Sequence, residues 1–491
     1  MTKKKVIAAA LATLMLSGVV AGCTPATDTT TATTTEGTAA TEATTSETTA
    51  PVIVGDGDQL LKIWSFTNEI KTMALAFQKY NPDVAVEYTM IPMTNGEYQT
   101  KVQASLTTDD VPDVIVLEAS FVKSYVESDL LADLGELLPK AAEMETYQMT
   151  IDIGTFDGVT KAFSYQATPG AFFYRRSLAT EYFGTDDPTE IQTYFSDMAK
   201  FEESAAVIKE KSGGDTYTVC STGDFTNLFY ANREQPWIVD GKFVIDPMVD
   251  EMMDMALTFR SEGYEAQATQ WQEGWFAGMN DTLTDANGNA KKVFSYFLPT
   301  WGLPYVLMTN AEAKDEAGTV LSTTAGDWAC IAGPMAYQWG GTWVGVMDTA
   351  KNKESGMKFV EFVALDEENL TNWATGVYTN EYLKEIDPSI ADDIAQPAGD
   401  FVSSAKVVAA IMDTMATSKA SEFLGGQNAY EGFSLAAPKT SLKLLQGSDD
   451  AIQRAMNDPL NNYVTGAATK EEAIQQFKDA VTSEFPDIIV E

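Results

Sequence analysis

The stretch Leu60-Leu61-Lys62-Ile63-Trp64-Ser65-Phe66-Thr67-Asn68-Glu69 reads as a buried strand that ends in three polar residues. A helical pattern follows from about Ile70 to Lys79 and stops at Asn81-Pro82, because the residue before a proline is pushed out of the helical region. Val84 to Met90 then alternates as a second strand. Pro112-Asp113-Val114-Ile115-Val116-Leu117-Glu118 is a third, again closing on a carboxylate ahead of a helical segment. Strand, helix, strand, helix predicts parallel α/β structure, in which ligands sit outside the carboxyl ends of the strands. Asn68, Glu69 and Glu118 therefore stand where a polar ligand would meet them. Short polar and acidic residues at helix starts also cap helices, and that reading stays open for each of the three.

Further along, Asp240-Gly241 between Trp237-Ile238-Val239 and Lys242-Phe243-Val244-Ile245 predicts a hairpin. Ser355 to Leu365 and Lys470 to Val481 read as amphipathic helices. Asp285-Ala286-Asn287-Gly288-Asn289 has a faint calcium-loop look but lacks the closing Glu, so a plain turn is the expectation. Trp271 and Trp275 share a helical spacing, and Tyr296, Trp301, Trp339 and Trp343 stand near Gly or Pro in strand ends and loops. Aromatic rings cover the C–H face of a sugar, while amides and carboxylates take its hydroxyls. At least one of Trp271 and Trp275 is expected in the core. Trp301 and Trp343 are expected to line a site, the latter because Gly340-Gly341 would let a ligand approach the backbone.

Upstream of the first strand, Lys3, Lys4 and Lys5 precede an apolar run from Val6 to Val20 and the tetrapeptide Val20-Ala21-Gly22-Cys23. The run is short for a membrane span and is flanked like a signal peptide. The tetrapeptide resembles a bacterial lipobox, which makes residues 1–22 the expected signal peptide and Cys23 the expected lipid-bearing first residue. Residues 23–58 are Thr, Ala, Ser, Glu and Pro with little to bury, and read as a disordered tether.

Composition narrows the chemistry. The 491 residues carry a net charge of −39, which repels nucleic-acid backbones and anionic lipid headgroups. There is no His, so Ser-His-Asp and Cys-His nucleophiles are excluded and the commonest zinc ligand is missing. Three Cys cannot build a disulfide framework, and whether Cys220 and Cys330 pair is left open. No phosphate-cradling or dinucleotide fingerprint is present. No cofactor, metal or catalytic residue is expected.

Several pieces in order carry a family resemblance. They are Ile63–Glu69, Pro112–Ile115 running to Leu130-Leu131-Ala132-Asp133-Leu134, and Gly170-Ala171-Phe172-Phe173-Tyr174-Arg175-Arg176-Ser177-Leu178. Gly326-Asp327-Trp328 through Gly333-Pro334, Gly340-Gly341-Thr342-Trp343, Lys351-Asn352-Lys353-Glu354, Leu424-Gly425-Gly426-Gln427-Asn428 and Thr465–Ala473 continue the pattern. Across residues 60–491 the chain resembles the bacterial extracellular solute-binding lipoproteins of carbohydrate ABC importers, the broad maltose-binding-protein-like group. The resemblance implies a two-lobed periplasmic-binding-protein-like α/β fold with an interlobe hinge and ligand cleft. By order, lobe 1 is residues 59–168 plus 341–396 and lobe 2 is 169–340 plus 397–491. The cleft would take Trp64, Asn68, Glu69 and Glu118 from lobe 1, Trp271, Trp275, Trp301 and Gln427 from lobe 2, and Trp343 at the hinge. The implied partners are a carbohydrate, specifically an oligosaccharide, and the permease subunits of the importer. The implied protein is a monomer held at the extracellular face of the cell membrane by its lipid alone. Rival readings are the same fold binding a peptide or other small polar solute, and a glycosidase lipoprotein using two carboxylates such as Glu69 and Glu118.

Overall fold

A computed structural model describes residues 48, 50–386, 388 and 400–491. The signal peptide, Cys23 and the lobe boundary expected near residue 396 lie outside the described residues. The tether expected to run to residue 58 is shorter at its end. Val52–Val54 (β1) pairs antiparallel with Val84–Met90 (β3), since the β-branched residues of Val52-Ile53-Val54 complete a sheet edge.

The opening motif forms as the pattern predicts. Gln59–Ser65 (β2) leads into the helix Glu69–Tyr80 (α1), which buries Ile70, Met73, Ala74 and Phe77. Strand β3 follows, and then Val114–Glu118 (β4) with the helix Ala119–Glu127 (α2). β2 pairs parallel with both β3 and β4. The chain thus goes from β2 to one side and then to the other, which makes the carboxyl ends of β2 and β4 a topological switch point. Ala162–Ser164 (β5) and Thr342–Val346 (β9) complete a six-stranded sheet in the order β1-β3-β2-β4-β9-β5, with β9 antiparallel to both of its neighbours.

A second, antiparallel sheet of order β7-β6-β8 comprises Gly170–Arg175 (β6), Ser295–Pro299 (β7) and Trp328–Ile331 (β8). Between Ser164 and Gly170 the chain passes from the first sheet to the second, and between Ile331 and Thr342 it returns. A third segment lies alongside, with Ala167 N–H donating to Phe401 O (2.8 Å) and Ser403 N–H to Tyr165 O (2.9 Å). The hairpin at Asp240-Gly241 forms, both residues adopting positive φ as a type I′ turn requires. The two amphipathic helices span Lys353–Leu365 and Lys470–Glu484, the latter opened by a capping box of Thr469 and Glu472. Asp285 folds its own loop by accepting from Asn287 N and Asn289 N, which is the plain turn. Cys220 and Cys330 are unpaired and buried. Among the described residues no helix is long and apolar enough to cross a membrane.

Trp343 departs from its expected place. It is fully buried on β9, and its Nε1 donates to Thr150 O at 2.9 Å. A Cβ at Gly341 would stand 2.9 Å from that indole, while the backbone of Gly340-Gly341 itself borders the cavity onto which the switch point opens. Trp343→Ala is expected to destabilise the protein by about 3–5 kcal/mol, as deletion of a large core aromatic does. Urea denaturation measures this, and a loss below about 1 kcal/mol would return Trp343 to a surface role.

Candidate functional site

The switch point opens onto a cavity of about 390 Å³. From the first sheet come Phe66, Thr67 and Glu69 at the end of β2, Glu118 at the end of β4, and Gln166 and Thr342 at the crossings. Opposite stand Trp271, Phe276, Trp301, Tyr305 and Asn310, with Trp339 and Gly340 between the two groups. The register of β9 on β4 sets Thr342 beside Glu118, and Ala119 N–H donates to Gly341 O at 3.0 Å.

The aromatic wall is a cluster of three indoles. Trp271 and Trp301 lie nearly parallel with centroids 6.3 Å apart, and Trp339 meets each edge-on at 5.8 and 5.6 Å. Trp301 Nε1 donates to Trp339 O at 2.9 Å, and its ring occupies the place a Cβ at Gly340 would need. Trp271 is 45% exposed and has φ of +65°, unusual for a bulky side chain. Strain of this kind persists where surroundings over-determine it, and it gathers at binding sites. Its surroundings here are the rings of Trp275, Trp301 and Trp339. Tyr305 and Val306 belong to a single π-helical turn at Leu303–Leu307, a distortion that frequently marks functional positions.

The polar wall is held from behind. Tyr165, fully buried, donates its hydroxyl to Glu69 Oε2. Gln166 Nε2 donates to the buried Asp400 at 3.2 Å, which also accepts from Trp373 Nε1 at 2.9 Å. Burial raises the Asp400 carboxyl to about 6 despite those two donors. Glu118 is the N-cap of α2, its Oε2 accepting from Ser120 N at 2.7 Å and from the Ser120 hydroxyl. Burial pushes its carboxyl upward, and the Ser120 bonds pull it partly back.

Of the residues expected from sequence, Glu69, Glu118, Trp271 and Trp301 meet at this cavity, and the others stand elsewhere. Trp64 is buried on β2, with its carbonyl accepting from Tyr98 Oη at 3.0 Å, because the inward face of that strand packs the core. Trp275 is fully buried and donates Nε1 to Asp224 at 2.9 Å, so it is the core member of the 271/275 pair. Gln427 spends its amide on the backbone of Cys330, accepting from N at 2.8 Å and donating to O at 2.6 Å. Asn68 is half-buried before α1, and its carbonyl accepts from Thr72 N at 3.2 Å. The cavity adds Phe66, Gln166, Tyr305, Asn310 and Trp339. An aromatic residue directly before Gly340-Gly341 was the available signal for Trp339. Gln166 has none, since only the crossing brings it to Asp400. Among the described residues no cluster of acidic and Cys side chains could hold a metal ion.

Two α/β bodies joined by crossing segments, with an aromatic and acidic cavity at the junction, define a cleft-type binding protein. The chain belongs to the bacterial extracellular solute-binding protein family, whose model matches residues 72–389. No curated protein matches it by sequence. Solved structures share the fold at low identity. One described as an extracellular solute-binding protein family 1 structure has a TM-score of 0.67 at 16% identity, covering 87% of this chain and 99% of that one. The galacto-N-biose/lacto-N-biose I-binding protein of an ABC transporter from Bifidobacterium longum, solved with lacto-N-biose, has a TM-score of 0.61 at 13% identity and covers 89% and 100%. An ABC-transporter-associated binding protein from B. animalis subsp. lactis, solved with β-1,6-galactobiose, has a TM-score of 0.60 at 17% identity and covers 88% and 99%.

Asp224 supports the Trp271 loop from beneath, accepting from Gln270 Nε2 (3.0 Å), Trp275 Nε1 (2.9 Å) and Ser221 N (2.9 Å). Burial raises its carboxyl from 3.8 to about 6, so between those values the folded protein holds a proton that the unfolded chain has released. Its contribution to stability therefore falls as pH rises through about 4 to 6. Asp224→Asn removes that titration. The variant's stability relative to wild type should shift in its favour by on the order of 2–3 kcal/mol from pH 3.5 to 7. Urea midpoints at four pH values read this, and a pH-independent difference would contradict it.

Proposed function

We propose that the protein is the substrate-binding component of an ABC importer and captures an extracellular carbohydrate. The observation that carries this is the pairing of three indoles with the carboxylates and amides of the opposite wall. An indole face covers sugar C–H groups, and Glu69, Glu118, Gln166 and Asn310 offer partners for hydroxyls. Structures of the same fold solved with lacto-N-biose and with β-1,6-galactobiose agree with it. The lobes are residues 59–168 plus 341–396 and 169–340 plus 397–491, and closure on the sugar is favoured because only the closed form touches it from both sides. The site binds without catalysis. Cys23 carries lipid, and the protein works as a monomer beside its permease at the outer face of the membrane.

Calorimetric titration of the full-length chain with galactose, β-1,6-galactobiose, lacto-N-biose, glucose, maltose and maltotriose tests the reading. At least one should bind and be recovered intact after prolonged incubation. Trp271→Ala should weaken it about two- to tenfold, the equivalent of roughly 0.5–1.5 kcal/mol of stacking, while the ligand-free melting temperature stays near wild type. Heat from peptides and none from any sugar would move the ligand class, and new reducing ends would make the protein a hydrolase.

For the anchor, Cys23→Ala should transfer the protein from the membrane fraction to the soluble one or leave it unprocessed. Unchanged membrane retention with cleavage after Gly22 would exclude lipid as the anchor.

A further inference from the structure

Among the described residues, the cavity at the switch point is lined by the carboxylates of Glu69 and Glu118 and by no Lys or Arg side chain. The cations of the pocket adjoining Glu118 are committed elsewhere. Lys123 Nζ donates to Asp152 O at 3.1 Å and to Thr155 O at 2.7 Å, and Arg233 pairs with Asp449. Desolvation raises the Glu118 carboxyl, and only hydrogen bonds from Ser120 and Ala119 oppose it.

The amide side chains of the same wall add acceptors. Gln166 spends Nε2 on Asp400 at 3.2 Å, so its carbonyl oxygen is the end left for a ligand. Asn310 turns Nδ2 to Val306 O at 2.8 Å and to the Thr309 hydroxyl at 3.1 Å, and likewise keeps its oxygen. The hydroxyls of Thr67 and Thr342 serve in either sense, and Trp301 has given its N–H to Trp339 O at 2.9 Å. A ligand at this wall is therefore asked for donors. A sugar hydroxyl brings one donor with acceptor lone pairs, whereas an ammonium brings three donors and no acceptor.

Charge decides between the two. Lobe closure takes the half-buried Glu118 further from water, and a carboxylate enclosed without a positive partner is costly. A hydroxyl leaves that cost in place. An ammonium removes it, and the attraction is strengthened by the same loss of water. The opposite wall suits this group as well, since the faces of Trp271, Trp301 and Trp339 attract a cation in addition to sugar C–H groups. Resting on the carbohydrate reading, we propose that the ligand is an amino sugar, its free protonated amine held by Glu118 in the field of Glu69 and its ring set against the indoles.

The test titrates the full-length chain at neutral pH with matched sets. They are glucosamine, N-acetylglucosamine and glucose; galactosamine, N-acetylgalactosamine and galactose; and the glucosamine disaccharide of chitosan, its N-acetylated form and cellobiose. Acetylation removes the charge, and the plain sugar removes it without added bulk. In at least one set the amine should bind at least about tenfold more tightly than both neutral members. Glu118→Gln and Glu69→Gln, close to the originals in size, should each cut the amine-to-hydroxyl affinity ratio at least about threefold, whatever either does to the separate affinities. Melting curves confirm folding, and a variant that fails to fold leaves the other, with the wild-type ratio, to decide. A wild-type ratio near one, or an advantage that survives the substitutions, overturns the amino-sugar proposal. Neutral sugars that bind in those titrations then leave the carbohydrate reading standing. Heat from none of the sugars removes both.

Discussion

Main-chain pairing at the crossing holds the two sheets in one geometry. The segment from Tyr165 to Gly170 is bonded on both sides. Gly170 N donates to Tyr337 O at 2.8 Å, and Thr168 Oγ1 to Gly340 O at 2.8 Å. On its other flank stand Ala167 with Phe401 and Ser403 with Tyr165. A buried backbone group without a partner is rare, so a chain that crosses between two sheets through protein must find company. The approach is close enough that a Cβ on Gly170 would fall within 1.9 Å of the Tyr337 ring. The cavity residues on and beside the crossing segments inherit their positions from this pairing. Gln166 is aimed at Asp400, Trp339 and Gly340 are set under Trp301, and Thr342 is set beside Glu118.

That dependence explains what the sequence disclosed and what it withheld. Strands β2, β3 and β4 and the helix α1 were legible because their information is local, in apolar periodicity and the Asn81-Pro82 stop. The parallel arrangement followed from their alternation with helices, and the antiparallel strand β9, arriving from more than two hundred residues away, did not. In the cleft, Glu69 and Glu118 were legible because strand ends at a switch point are placed by topology. Trp343 misled because it sits beside a cleft residue in sequence while the pleat turns alternate side chains to opposite faces. Trp64 misled because it lies within β2, where both of its neighbours are buried as well and only residues past the strand's end reach the cavity. A one-residue parity separates Thr342, in the cavity, from Trp343, in the core. Gln427 misled because an amide among glycines reads as available, and only the fold shows β8 claiming both of its ends.

Trp271 shows how a spacing rule fails in an informative way. Its offset from Trp275 suggested one helical face, yet the helix spans only Glu273–Ala277. Trp271 precedes it in a turn, with a backbone conformation that few bulky residues adopt. The pair is therefore divided between roles, with Trp275 anchoring the loop to Asp224 and Trp271 presented to the cavity. The anchor is itself costly to bury, as the raised carboxyl of Asp224 indicates, so stability is given up to hold that loop.

Capping and ligand binding were opposed readings for Glu118, but the geometry makes them complementary. Ser120 engages a single oxygen, Oε2, through both its N–H and its hydroxyl. That fixes the side chain at the helix start without Ser120 touching the second oxygen. Its half-buried position at the cavity wall at the same time raises the carboxyl's affinity for protons. A carboxylate so placed is short of hydrogen-bond donors, and a ligand hydroxyl supplies one without adding charge. The helix cap thus removes the entropy of a free side chain, and desolvation strengthens the bond that a hydroxyl makes. In a chain with no His and a surplus of acids, a rigid acceptor of this kind discriminates by hydrogen-bond geometry. It favours a polyol over an anion, which the same carboxylate would repel.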